Sequence, residues 1–481
     1  MNQYKVAIVG AGAAGFVTAA AIKRNHPDVQ VEIIYDPKAP TIGVGESLGF
    51  FAKSFFNDTL GLKDHLENEW MTQAGAVDKY GILFNGWNGS NSTMYLGKGP
   101  VPWKYNEYDL VDLWAHAYRK GILNQHSFNF DYDFTGIEHD MHNRVRFRST
   151  YHIDAGKLGP VIHRLVGIPA GVKEIKIPVK AAVTKDGNTI DHIILSDDSV
   201  YIADLYIDCT GFSRVLAKEL PFKLNECGEH YNNSVLVGQY EYQNSKEFRP
   251  WSTLTSMDDG WCFGVSLAQR SGNGYVYNSN FVTDENKLVE EFEKKTGMKN
   301  VIGRKISWRP GYYDRACIGN CIVIGLGFGM IDPFDANVFT SSLKFISFLV
   351  DHRLPVFCRS DNSRWQDEFN SYVSKVIDHI RLRIDTAFHL APRSDTAYWQ
   401  RMKQVAIEFD TLNRLNDYMS TNRYEQYYWE HNNKSDYFRL CLYYGIDPQM
   451  PITADSDHKT QSAIDVLTMY RDCISGPLNN L

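Results

Sequence analysis

Three glycines near the N-terminus, Gly10, Gly12 and Gly15, stand in the spacing G-x-G-x-x-G between an apolar run, Tyr4 to Val9, and an alanine-rich segment ending at Ile22. No other feature of the chain constrains its fold as strongly. A strand that turns abruptly into a helix needs a residue without Cβ at the turn, which is Gly10. Gly12 lets the backbone approach a diphosphate, and Gly15 lets the helix lie close on the strand. The first helical N–H groups, from Ala13 and Ala14 onward, then face the phosphates. Asp36 ends a second strand-like run, Val29 to Tyr35, about 20 residues further on, where a carboxylate can accept from a ribose hydroxyl. The alternative is a glycine turn that binds nothing.

Two later segments choose between dinucleotides. Asp208-Cys209-Thr210-Gly211-Phe212 follows a buried strand, and Ile322-Val323-Ile324-Gly325 is followed by Gly327, Gly329 and Asp332-Pro333. A single glycine fingerprint with these two small-residue turns, in this order, points to FAD. The expected fold class is α/β: a Rossmann-type FAD-binding fold, glutathione-reductase-like as in flavin monooxygenases, with an integrated, largely helical substrate region. The flavin-binding region is expected in residues 1–100, 150–225 and 305–350. The substrate-binding region is expected in 101–149, 226–304 and 351–481. Residues 50–75 and 109–121 read as helices, and the chain reads as mostly helical after about residue 340. Residues 88–103 read as a loop, and Tyr151 to Val166 as a helix entered through Asp154.

Composition narrows the partners. The 481 residues carry a net charge of −7, which gives no basic footprint for nucleic acid. No apolar run approaches the roughly 20 residues that span a bilayer, and no signal peptide precedes the first strand, so a cytoplasmic protein is expected. The eight cysteines are scattered and frame no disulfide scaffold. Cys317 and Cys321 have no second pair for a zinc site, and no metal is expected.

Several motifs together resemble the flavin-dependent halogenases, in particular the tryptophan halogenase branch. Ile42-Gly43-Val44-Gly45-Glu46-Ser47 is similar to a family loop that lies along the flavin. Trp70-Met71, Lys79 and Trp87 match the spacing of a segment whose lysine is catalytic. Tyr151-His152-Ile153-Asp154-Ala155, Asp208 to Phe212, Gly274-Tyr275-Val276-Tyr277 and Arg393 to Trp399 resemble further family motifs in order. The resemblance runs from Val6 to about Trp399. A phage-encoded member is a narrower form of it, and would place the protein in a host cytoplasm.

The resemblance implies that FADH2, O2 and halide generate hypohalous acid, which Lys79 delivers to an electron-rich aromatic ring. It implies catalytic Lys79 and Asp335, halide at Asn337 and Val338, and flavin contacts from Gly10, Gly12, Ala13, Ala14, Gly15, Asp36, Gly43, Val44, Gly45, Glu46, Ser47 and Gly325. Two departures stand out. A family G-W-x-W-x-I-P motif reads Gly260-Trp261-Cys262-Phe263-Gly264-Val265-Ser266 here, losing the second Trp and the Pro. The family's E-P-L-E-S-T-G reads Asp332-Pro333-Phe334-Asp335-Ala336-Asn337-Val338, so the catalytic carboxylate is one methylene shorter and the glycine is gone.

Each residue also has a plainer reading. Lys79 can be a surface lysine on a strand edge, Asp335 a helix N-cap, and His152 and Asp154 packing and capping at a helix start. Trp103, Tyr105, Tyr108, Trp114, Tyr428 and Trp429 are candidates to hold the substrate or to fill the core. The altered tryptophan motif favours an indole or phenol other than free tryptophan. The altered halide loop favours bromide or iodide over chloride. With one dinucleotide fingerprint, the reduced flavin is expected from a separate reductase. A symmetric homo-oligomer is the ordinary expectation. The rival functions are a flavin monooxygenase that hydroxylates an aromatic substrate, and a non-catalytic flavin-binding protein.

Overall fold

The computed structural model describes residues 3–40, 43–63, 65–90, 93–97, 104–124, 149–244, 247–282, 284–297, 302–354, 364–420, 430–447 and 456–475. Its first layer is a sheet in which Lys173–Ile175, Gln30–Ile34, Lys5–Val9, Leu205–Asp208 and Cys321–Val323 run parallel in that order, with Cys317–Ile318 antiparallel at the edge. Lys5–Val9 is buried beyond its first residue because both faces are covered, so it reads as a continuous apolar run. The helix Ala13–Asn25 packs on this sheet. His26 ends it, as the following Pro-Asp requires.

A second sheet has seven strands, in the order Ile302–Ser307, Ser234–Glu241, Arg270–Tyr277, Gly260–Ser266, Ser252–Met257, Gly81–Asn85 and Thr93–Gly97. The last two come from the N-terminal hundred residues, so sheet pairing joins them to the strands of 226–304. Thr93–Gly97 also corrects the expectation of a loop over 88–103. Thr93-Met94-Tyr95-Leu96-Gly97 pairs with Gly81–Asn85, and this tertiary pairing overrides the turn propensity of the segment around it.

Between the two sheets lies a small antiparallel one: Glu46–Ser47, Thr150–Ile153 and Val77–Lys79. The expected helix from Tyr151 is therefore wrong at its start. Residues 150–153 form a buried central strand, and the helix Ala155–Ile162 begins only after Asp154. The capping role read for Asp154 holds, since its carboxylate accepts from the Gly156 N–H at 3.1 Å. The C-terminal part is helical as expected, with Asn337–Phe348, Arg364–His389, Ala397–Glu408, Thr411–Ser420, Glu430–Tyr443 and Asp457–Ser475. No described helix is long and apolar enough to cross a membrane.

Candidate active site

The glycine turn shows which atoms each glycine keeps clear. A Cβ on Gly10, where φ is +104°, would stand 2.6 Å from the Cys209 carbonyl oxygen. A Cβ on Gly15 would stand 1.9 Å from the Gly10 carbonyl oxygen. Both are packing requirements of the protein itself. Gly12 differs: a Cβ there meets nothing within 4 Å, and its backbone (φ −73°, ψ −175°) suits any residue. Gly12 is also the N-cap of Ala13–Asn25 and offers no side-chain cap, so the first helical N–H groups are left for an anion. These residues fit the diphosphate of FAD. Gly12→Ala is expected to leave the flavin-free protein's melting temperature unchanged and to weaken FAD binding about 10- to 100-fold. Fluorescence titration checks this, and unchanged affinity would contradict the assignment.

Gly325 and Asp36 lie at the same end of the sheet. Gly325 (φ +79°) places its α-carbon against Ala14: a Cβ there would lie 3.3 Å from Ala14 Cβ. Asp36 is exposed at the end of Gln30–Ile34, with Oδ1 accepting from the Lys38 N–H at 2.8 Å. Gly43 to Ser47 leave this region and cross toward the second sheet. Ile42 lies outside the described residues. Gly43 packs on the start of Ala155–Ile162, where a Cβ would come 2.9 Å from the Gly156 nitrogen. Arg270 ties the crossing down, donating to the Val44 carbonyl (2.7 Å) and to Asp154 (2.8 Å).

Glu46 is partly buried along this crossing, and burial pushes its carboxyl up to about 7. A carboxyl raised in the folded state stabilises the fold fully below its unfolded value of about 4.5 and loses that contribution as pH rises through about 7. Glu46→Gln should therefore melt with the parent at pH 5. At pH 8.5 it should melt a few degrees higher, for about 2 kcal/mol after allowance for partial accessibility. Equal melting at both pH values would contradict this.

Lys79 ends the strand Val77–Lys79 and is 3% exposed, which rules out a lysine on an open strand edge. Its Nζ donates to Ser47 Oγ at 2.6 Å and to the Leu48 carbonyl at 3.2 Å. Burial pulls the ammonium down to about 8, against the opposing charge of Asp335. So the loop that begins beside the glycine turn, at the end of Gln30–Ile34, ends on the side chain of the buried lysine.

Asp335 is not a helix N-cap. The cap of Asn337–Phe348 is Ala336, and Asp335 sits one residue earlier in the turn Phe334–Ala336. Both Asp335 (φ 57°) and Ala336 (φ 55°) are left-handed, a conformation that costs a non-glycine residue about 1–3 kcal/mol. The turn is held from several sides. The Asp332 carboxylate accepts from the Phe334 N–H (2.9 Å) and from Asn232 (2.8 Å). Asn337 Nδ2 donates back to the Phe334 carbonyl. The Phe334 ring meets Trp87 and Trp261 edge-on, each at 5.6 Å between centroids, and Phe388 at 5.4 Å. The surviving tryptophan of the altered motif thus braces the turn that carries Asp335. The Asp335 carboxylate lies 3.4 Å from Nε of Arg383, a buried residue of the long helix. Sequence reading missed Arg383, which belongs to no motif.

Asn337 and Val338 are the first residues of a 12-residue helix. Neither has a positive φ, so the missing glycine costs nothing at Val338; the strained positions are Asp335 and Ala336, just before the helix. The Gly49 N–H donates to Thr340 Oγ1 at 3.1 Å, tying this helix to the loop that passes Lys79. Of the aromatic candidates, Trp114 is buried in the core. Tyr105 and Tyr108 reach toward the last helix, at Asp465 (3.4 Å) and Ser456 (3.4 Å). Trp103, Tyr428 and Trp429 lie outside the described residues.

Comparison with known proteins shows the family and the fold. Tryptophan 7-halogenase RebH from Lentzea aerocolonigenes is 24% identical, covering 97% of this chain and 95% of its own. The solved structure of tryptophan 6-halogenase SttH from Streptomyces toxytricini superposes with a TM-score of 0.82 at 23% identity, over 99% of this chain and 98% of its own. A flavin-dependent halogenase from Xanthomonas campestris gives 0.81 at 20% identity, over 99% and 96%. The family model described as tryptophan halogenase matches residues 5–457, a span that holds the glycine turn, the buried Lys79 and the Asp335 turn alike, and the chain therefore belongs to the tryptophan halogenase family of flavin-dependent enzymes.

Proposed function

We propose that this enzyme halogenates an electron-rich aromatic substrate with hypohalous acid held by Lys79 and assisted by Asp335. The observation that carries this reading is the burial of Lys79 beside the Asp335 turn, at the end of the loop that begins beside the glycine turn. Gly10, Gly12, Ala13, Ala14, Gly15, Asp36, Gly43, Val44, Gly45, Glu46, Ser47 and Gly325 hold the flavin. These residues would hold FADH2 delivered by a separate reductase, and the bound flavin would supply the reducing equivalents for forming hypohalous acid from O2 and halide. The N–H groups of Asn337 and Val338, at a helix N-terminus, hold the halide. Lys79, with two of its positions committed to Ser47 and Leu48, presents the third to the hypohalous acid. Asp335 accepts the proton that the ring loses.

Residues 1–100, 150–225 and 305–350 serve flavin binding, and 101–149, 226–304 and 351–481 serve the substrate. The strands Gly81–Asn85 and Thr93–Gly97 contribute to the second group through their sheet. The substrate is an indole or phenol other than free tryptophan, and the protein acts in the cytoplasm. Bromide or iodide is preferred to chloride, because Asn337 and Val338 replace the family's halide residues and the larger halides are easier to oxidise. Competition among equal halide concentrations, read by product mass, should give mostly brominated or iodinated product. A chloride majority would contradict the preference.

A further inference from the structure

His152 is fully buried on the strand Thr150–Ile153, and the packing role read for it leaves both of its ring nitrogens unexplained. Its Nδ1 lies 2.9 Å from the Ser266 carbonyl oxygen. A carbonyl only accepts, so Nδ1 carries a proton. Its Nε2 lies 2.9 Å from Ser252 Oγ. Ser252 Oγ lies 2.9 Å from Ser47 Oγ, which accepts from Lys79 Nζ at 2.6 Å. Lys79, Ser47, Ser252 and His152 are all buried, so the chain from amine to imidazole runs out of contact with water.

We propose that Ser47 and Ser252 form a proton relay that joins Lys79 to His152, so that the buried lysine sheds and regains a proton without exchanging it with solvent. The inference rests on the reading of Lys79 as the halogen-delivering group.

The chain has two end states, and each fixes every hydroxyl. With His152 neutral, Nε2 accepts from Ser252, Ser252 accepts from Ser47, and Ser47 accepts from the Lys79 ammonium. With the proton moved, Nε2–H donates to Ser252 and Ser252 donates to Ser47. Ser47 then donates to the lone pair of the Lys79 amine. The heavy atoms place Ser252 as donor to Ser47, as in the second state, and Lys79 as donor to Ser47, as in the first, and the hydroxyl hydrogens can rotate to suit either. Burial and the Lys79 charge pull the imidazole down to about 3, which favours the first at rest. Part of that depression vanishes as Lys79 loses its charge, so the two sites titrate as a pair. The other ionisable group acting on Lys79 is Asp335.

The step balances. Lys79 ammonium passes one proton to His152 through the two hydroxyls. The free amine then turns about its Cε–Nζ bond, so that an N–H faces Ser47 and the lone pair faces the hypohalous acid; the lone pair attacks the halogen, the N–X bond forms and the X–O bond breaks. The departing oxygen leaves as water with one amine proton. His152 returns its proton to the haloamine nitrogen, and the halogen passes to a ring carbon. The ring proton goes to Asp335 and thence to the amine, restoring the ammonium.

The test uses the full chain and two variants. His152→Gln keeps an acceptor toward Ser252 and a donor toward Ser266 but carries no proton; Ser252→Ala cuts the chain. Both are expected to lower kcat for halogenation about 10- to 100-fold, with KM, FAD affinity and total hypohalous acid formation unchanged. A purely structural role is expected to spare kcat in His152→Gln, and wild-type kcat there would overturn the relay. Selective 15N-histidine spectra of the resting protein, assigned by loss of a signal in His152→Gln, should show the Nδ1–H tautomer. The Nε2–H tautomer would also overturn the relay. This readout stands whether or not Lys79 delivers halogen. Failure of that reading would show instead as product formation surviving in Lys79→Ala.

Discussion

Lys79→Ala should lower halogenated product by at least about 10³-fold while FAD binding and flavin reoxidation persist. The amine has two positions fixed by Ser47 and Leu48, and only the third is available to the oxidant, so nothing else described at the site replaces it. With the ammonium pulled down to about 8, the charged form that can donate a hydrogen bond is still the favoured one at pH 7. The fold should survive, because deleting a buried charge removes a desolvation penalty even as it leaves a cavity. The oxidised halide, no longer held, should appear free in solution, where a scavenging dye measures it. Loss of flavin binding together with activity would mean instead that the variant disturbs the loop Gly43–Ser47.

Asp335→Asn should reduce product formation about 10²-fold without loss of FAD affinity. The amide cannot take the ring proton, and the charge that supports the Lys79 ammonium is gone, so the lysine should titrate below about 8. Arg383, buried in the long helix, loses its ion-pair partner, and a destabilisation of about 1–2 kcal/mol is expected given the partial exposure of the carboxylate. Steady-state rates with thermal melts separate the two effects. An Asp335→Asn variant that turns over at the parental rate would remove Asp335 from the chemistry.

Some of this was legible in the chain because it is local. The roles of Gly10 and Gly15 follow from what a Cβ would strike within the same turn and its neighbouring strand, and the glycine pattern encodes them directly. Asp154 as a cap was legible for the same reason. The burial of Lys79 was not, because Val77-Asp78-Lys79 alternates like an exposed edge, and only pairing with Thr150–Ile153 encloses it. That strand was itself misread as a helix start, since its partners are two short strands about 100 residues away and 70 residues away. Asp-Pro-Phe-Asp scans as a capping sequence, yet the chain passes two residues through left-handed backbone there, a constraint imposed by packing around Phe334. Arg383 and Ser252 carry no local signal; they matter only through what the fold brings beside them.

The most direct measurement is the product mass from the parent and Lys79→Ala, each given FAD, a flavin reductase, NADH, air, bromide and a panel of phenols and indoles. The expected result is a bromine isotope doublet in the parent that disappears in the variant. A product heavier by one oxygen in the parent, or a doublet that persists without Lys79, would contradict the assignment.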